Sequence, residues 1–404
     1  MRYPNRHDHN RKNSANVCVR AARSEGSLSI FLIAFLFAGT ILCGSLCQDA
    51  SIFAAPALGS RILDLLFDAP AAQSKQGVST RSNGYWLLNA RDLSRPSDEH
   101  LTADYIQVSW REPPNGLEES SLIDADPILQ GCAAQNARTD INDCVGIKYS
   151  DMVDSWPEDE PLVIFIHGNL GTMEVAQRHG DLLHEILPRE EVPPFQLAVW
   201  AWRADREIRR TMPDAQIKAA RTDEEAYRLA VFLRELPPNR EVIFIGYSFG
   251  ARLASGALHL LEGGTLEGRT LDLGVEESSD TAIDEKRWTL YLLAPAMDAD
   301  WFRPGGLYGE TLNDVKKVFV AYNRRDRALK MFSRAELPGR KRMMGVLRTP
   351  CTLGDGYQPR WIDLTGEVGF RHGFARSSES PSFRRSLHEL LAPAPETLQD
   401  EDAD

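Results

Sequence analysis

Residues 241–262, EVIFIGYSFGARLASGALHLLE, decide the fold. Val242 to Ile245 is a short apolar run with the length and β-branched content of a buried strand. Ala251, Ala254, Leu258 and Leu261 then recur at helical spacing, and Gly263 supplies the stop. Between strand and helix lies Gly246-Tyr247-Ser248-Phe249-Gly250, a G-x-S-x-G. So abrupt a turn strains the serine and pushes its hydroxyl out above the sheet, and the glycines let neighbouring backbone approach. The N–H of Phe249, at the start of the helix, then points where an oxyanion would form. The five-residue pattern is weak on its own; its place at a strand–helix junction gives it meaning.

Working outward, the same alternation repeats. Tyr85–Ala90 and Tyr105–Trp110 read as strands, and residues 111–158, rich in Pro, Gly and acid, read as loop. Pro161–Ile166 is a continuous apolar run that enters His167-Gly168-Asn169-Leu170-Gly171. A helix over 174–187 and a strand over Phe195–Trp202 follow, then an irregular basic stretch with Arg203, Arg206, Arg209 and Arg210. Thr222 to Glu225 reads as a capping box opening a helix with Leu229, Phe232, Leu233 and Leu236 on one face. Residues 263–287 read as a polar insertion, and Trp288–Leu293, Val318–Tyr322 and Trp361–Leu364 as strands. Ser380-Pro381 opens a closing helix that turns Phe383, Leu387, Leu390 and Leu391 inward. Strands separated by helices imply right-handed crossovers, hence an α/β, doubly wound, mostly parallel sheet of about eight strands. Reactive groups in such sheets gather at the carboxyl ends of the strands. Ser248, the 167–171 loop, Asp298, Asp326 and His372 all follow strand ends.

A serine hydroxyl is a poor nucleophile without a base in hydrogen-bond reach. In this kind of sheet the partners follow in the order Ser, Asp or Glu, His. Of nine histidines only His372 and His388 come late enough; His388 sits inside the closing helix, whereas His372 occupies a Gly-flanked loop after the last strand. The His167-Gly168 loop is placed to supply a second oxyanion donor, from Asn169 or Leu170, beside Phe249. His167 itself reads as a structural hydrogen-bonder. For the acid, Asp298, Asp300 and Asp326 are all open by position. Asn323 suits a tight turn, and Ala328-Leu329 restarts a helix directly behind Asp326, which favours Asp326.

The chain has 404 residues, a formal charge of −12 and 43% hydrophobic residues, enough for one large α/β domain with appendages. The acidic balance argues against a nucleic-acid partner. Residues 1–27 form a basic tail before the uncharged run 28–47, long enough to span a bilayer with the tail kept inside. That run reads as a retained signal-anchor or a cleaved signal peptide, with the catalytic domain on the extracytoplasmic side or secreted. Residues 48–84 read as linker, 85–392 as the domain and 393–404 as a disordered acidic tail. Cys132 and Cys144 bracket a short polar loop, where they stand either as a disulfide in an oxidising compartment or as two loop thiols. No cysteine or histidine spacing suggests a metal site.

The H-G-N loop, GYSFG, the N-x-x-D after a strand and the late R-H-G resemble the alpha/beta hydrolase superfamily over residues 85–392. More narrowly, VFVAYNRRDRALKMFSR and WIDLTGEVGFRHGF resemble a bacterial branch of alpha/beta hydrolases of unknown function. The resemblance implies Ser248 as nucleophile, Asp326 as acid and His372 as base, with no cofactor. The function expected is that of a serine hydrolase of small-molecule carboxylic esters; the competing expectation is a catalytically silent hydrolase fold that only binds.

Overall fold

The computed structural model describes residues 84–91, 106–113, 146–147, 149–188, 192–271, 286–336 and 343–393. The tail and apolar run before residue 48, the linker to residue 83, Cys132, Cys144 and the acidic end from residue 394 lie outside the described residues. Among the described residues no helix is long and apolar enough to cross a membrane.

In chain order the strands are β1 (Tyr85–Asn89), β2 (Gln107–Arg111), β3 (Gly146–Ile147), β4 (Leu162–Ile166), β5 (Gln196–Ala201), β6 (Val242–Tyr247), β7 (Thr265–Leu266), β8 (Arg269–Thr270), β9 (Trp288–Leu293), β10 (Val315–Tyr322) and β11 (Arg360–Asp363). The helices are α1 (Tyr149–Asp154), α2 (Met173–Ile186), α3 (Thr211–Arg234), α4 (Phe249–Leu261), α5 (Arg327–Glu336), α6 (Thr365–Val368), α7 (Phe374–Ser378) and α8 (Pro381–Leu391). Nine strands form one sheet in the order β11-β10-β9-β6-β4-β5-β1-β2-β3. From β11 to β1 every neighbour is parallel; β2 and β3 add on antiparallel. The sheet is thus α/β and mostly parallel, as expected, with one strand more. The extra strand is β3, two residues inside the stretch read as loop, too short to leave a periodic signal.

The chain runs from β4 outward to β5, then turns back across β4 to β6 and onward to β9, β10 and β11. With right-handed crossovers, that reversal sends α2 to one face and α3, α4 and α5 to the other, and α7 and α8, beyond the last strand, return to the α2 face. The packing agrees: α3 lies on α4 and touches α5, whereas α2 meets α7, which meets α8. Strands β4, β5, β6 and β9 are buried along their whole length, which is why they read as unbroken apolar runs. Each such Val, Leu, Ile or Phe side chain contributes about 1.5–3 kcal/mol on leaving water.

One expected boundary was wrong. Thr222–Glu225 does not open a helix; α3 begins at Thr211, so those residues lie mid-helix. The Thr222 hydroxyl donates back to the Ala219 carbonyl at 2.6 Å instead of capping forward, and Glu225 pairs with Arg228 at 2.8 Å. The first turns of α3 bury an ion pair in place of apolar residues. Lys218, fully buried, lies 3.3 Å from Asp214 Oδ1, and that oxygen also accepts the N–H groups of Glu207 and Ile208 at 2.8 and 3.0 Å. A hydrophobic template passes over such a helix start. The polar insertion 263–287 holds a hairpin, β7 paired with β8.

Candidate active site

The sheet reverses direction at β4, and the crevice expected at such a point opens outside the carboxyl ends of β4 and β6. Ser248 follows β6 there. Its backbone sits at φ 56° and ψ −110°, a conformation that costs a non-glycine residue about 1–3 kcal/mol. The neighbours explain how it is held. Ser248 N–H donates to Leu293 O at 2.9 Å, and its carbonyl accepts from Ala296 N–H at 3.3 Å. Gly250 must lack a side chain, because a Cβ there would lie 2.1 Å from the Ile166 carbonyl oxygen.

His372 comes to this serine from the loop between α6 and α7. Its Nε2 lies 2.9 Å from Ser248 Oγ, and its Nδ1 lies 2.6 Å from Asp326 Oδ2. With the ring proton on Nδ1, the serine hydroxyl donates to Nε2 and the imidazole donates to the carboxylate. Asp326 is almost wholly buried, at 1% exposure, and its other oxygen accepts the Leu329 N–H at 2.9 Å, capping α5. The alternative acids are engaged elsewhere: Asp298 accepts the Asp300 N–H at 3.0 Å to cap the turn Ala299–Phe302, and Asp300 pairs with Arg303 at 3.0 Å. His388 lies in the last turn of α8, outside this group.

The 167–171 loop closes the other side. A Cβ on Gly168 would stand 3.0 Å from Ser248 Cβ, so only a bare backbone passes so near the serine. Asn169 and Leu170 follow, half-buried, with Leu170 left-handed at φ 60°. Phe249 is the first residue of α4, whose first-turn N–H groups have no partner within the helix. His167 is fully buried and behaves as a structural residue: Nδ1 donates to Gly168 O at 2.9 Å, and Nε2 accepts the Trp202 N–H at 3.2 Å. Burial holds its pKa down to about 3, so the ring stays neutral at ordinary pH. The Trp202 indole N–H returns a bond to His167 O at 2.8 Å, and the two rings stack.

Three side chains that set this geometry were not foreseen in these roles. Arg91, just past β1, donates to Gly171 O at 2.9 Å and Trp202 O at 3.2 Å and pairs with Asp205, tying the loop to the end of β5. Tyr247 stacks under the His372 ring, centroids 5.3 Å apart, and its hydroxyl donates to His372 O at 3.0 Å. Asn323 accepts the Arg325 N–H at 2.9 Å, which is the turn its sequence suggested. Its amide also donates to Gly369 O at 2.8 Å and Arg371 O at 3.5 Å, so one buried side chain fastens the acid loop to the histidine loop. A cavity of about 10 Å³, room for a single water, lies between these loops and Tyr247. A larger cavity of about 290 Å³, lined by Phe302, Glu310, Leu312 and Tyr357, includes none of these residues.

Asn323 therefore holds the two loops in register. On the serine-hydrolase reading proposed below it is a positioning residue, and Asn323→Ala is expected to lower kcat about 10²-fold with KM little changed, the scale of a base displaced by about 1 Å. Asn323→Asp keeps the acceptor for Arg325 but not the donor, and is expected to fall as far. Steady-state kinetics on a chromogenic ester check both; a defect seen in KM alone would refute the role.

Among the described residues, no group of three or more His, Cys, Asp or Glu is gathered as a metal site. No family model matches the chain, and none of the curated proteins matches its sequence.

Proposed function

We propose that the chain is a serine hydrolase of the alpha/beta hydrolase fold, cleaving small-molecule carboxylic esters through an acyl-enzyme. What carries the reading is one observation: Ser248, His372 and Asp326 form an unbroken hydrogen-bonded chain of 2.9 and 2.6 Å at the carboxyl end of the sheet.

In this mechanism the Ser248 Oγ attacks the ester carbonyl while its proton passes to His372 Nε2. Asp326 holds the Nδ1 tautomer and stabilises the imidazolium that forms. The tetrahedral oxyanion takes hydrogen bonds from the N–H of Phe249 and of Asn169 or Leu170. Collapse expels the alcohol, which receives the proton from Nε2 and leaves the acyl group on Ser248. Water then enters, gives its proton to Nε2, attacks the acyl carbon and releases the acid, returning the proton to Ser248. Ser248, His372 and Asp326 already stand within hydrogen-bond reach of one another, so little reorganisation of these three is left for the reaction to supply.

The test is covalent. A fluorophosphonate probe is expected to label the native chain at Ser248, located by mass spectrometry, and to leave Ser248→Ala unlabelled. A native chain that stays unlabelled, with its fold intact by circular dichroism, would overturn the proposal.

A further inference from the structure

The chain is acidic overall, at −12, yet the lip of the site on its histidine side is cationic. Arg325 and Arg327 flank the acid Asp326, and Arg371 immediately precedes the base His372; all three are exposed. Between them stands Phe370, 55% exposed, the most open large apolar side chain among the described residues. The guanidinium of Arg327 lies 4.7 Å from the centre of its ring and that of Arg325 lies 5.7 Å away. Arg327 N–H also donates to Phe370 O at 3.3 Å, which locks the two loops together at this point. The neighbouring Arg324 is occupied, pairing with Asp363 at 2.9 Å. No carboxylate among the described residues pairs with Arg325, Arg327 or Arg371.

Like charges gathered on one edge repel, and an arginine side chain gives up about 2 kcal/mol of rotamer entropy when it is held still. Stacking on an aromatic face offsets that loss in part and leaves the planar donor forks pre-arranged for an oxyanion.

Resting on the hydrolase reading, we propose that the substrate is an ester carrying a carboxylate or phosphate group, which seats on the rim of Arg325, Arg327 and Arg371 around Phe370. The rim then selects by charge, and the triad performs the cleavage.

The experiment uses the full-length protein and three alkyl fluorophosphonate probes of one chain length, tipped with a carboxylate, a phosphate or a hydroxyl. The readout is the ratio of second-order labelling rates at Ser248, anionic over neutral, so that any effect on the base cancels. At low salt at least one anionic probe is expected to react about tenfold faster or more, a gap of about 1.4 kcal/mol. The ratio should shrink as salt rises, because exposed charges are screened. In the triple variant Arg325→Gln, Arg327→Gln, Arg371→Gln it should fall to about one. Equal rates for all three probes on the native protein would overturn the inference while leaving the hydrolase reading standing. No labelling by any probe would overturn both.

Discussion

On the hydrolase reading, Asp326→Asn is expected to lower turnover about 10⁴-fold, to be checked by initial rates on a chromogenic ester. The amide can still meet the ring, but it no longer fixes the Nδ1–H tautomer or stabilises the imidazolium, and losses of this size follow when a triad acid becomes its amide. Asp298→Asn and Asp300→Asn reduce turnover only modestly. The first caps a turn and the second pairs with Arg303, whereas Asp326 is the carboxylate 2.6 Å from His372 Nδ1. The reverse order of effects would move the acid to the loop after β9. Because Asp326 also caps α5 through the Leu329 N–H, the asparagine form keeps a competent cap, so its melting temperature should barely move.

The second large effect sits at the nucleophile. On the same reading, Ser248→Gly is expected to lower turnover by about 10⁶-fold, the scale seen when a triad nucleophile is lost. It also raises stability. Glycine occupies φ 56°, ψ −110° without a Cβ clash, so the roughly 1–3 kcal/mol of strain is relieved, less about 1 kcal/mol for the freer unfolded chain. Ser248→Ala loses the same activity but keeps a Cβ and the strain, so the difference between the two variants in urea unfolding isolates the conformational term. A glycine variant no more stable than the alanine one would mean that the strain does not exceed the roughly 1 kcal/mol that the freer unfolded chain costs.

The parallel strands were legible because burial on both faces leaves an unmistakable mark: Leu162–Ile166 and Trp288–Leu293 are apolar at nearly every position. What escaped was structure held by polar groups. The start of α3 is written in Asp214 and Lys218, and the first residues of β10, Val-Lys-Lys, pass through an irregularity in register that breaks the alternation. The site divides the same way. Ser248 carries a local pattern, and His372 follows from chain order and a glycine-flanked loop. Asp326 could not be separated from Asp298 by spacing, since each follows a strand end; their hydrogen bonds tell them apart. Arg91, Tyr247 and Asn323 act across separations that no window of sequence spans: Arg91 meets Trp202, and Tyr247 meets His372.

The order of strands in the sheet has a consequence for how the protein comes into being. A chain made from its N-terminus folds as it emerges; β6 appears before its neighbour β9, and Ser248 appears 124 residues before the histidine that faces it. Parallel pairings such as Trp86 with Ala198 join distant parts of the chain, so they close late and slowly. Through that interval the nascent polypeptide carries a serine with no base and no acid, chemically as inert as any other alcohol. On the hydrolase reading, reactivity arrives only when the last strand and the loop beyond it are laid down, because the partner of Ser248 is the last piece of the site to be made.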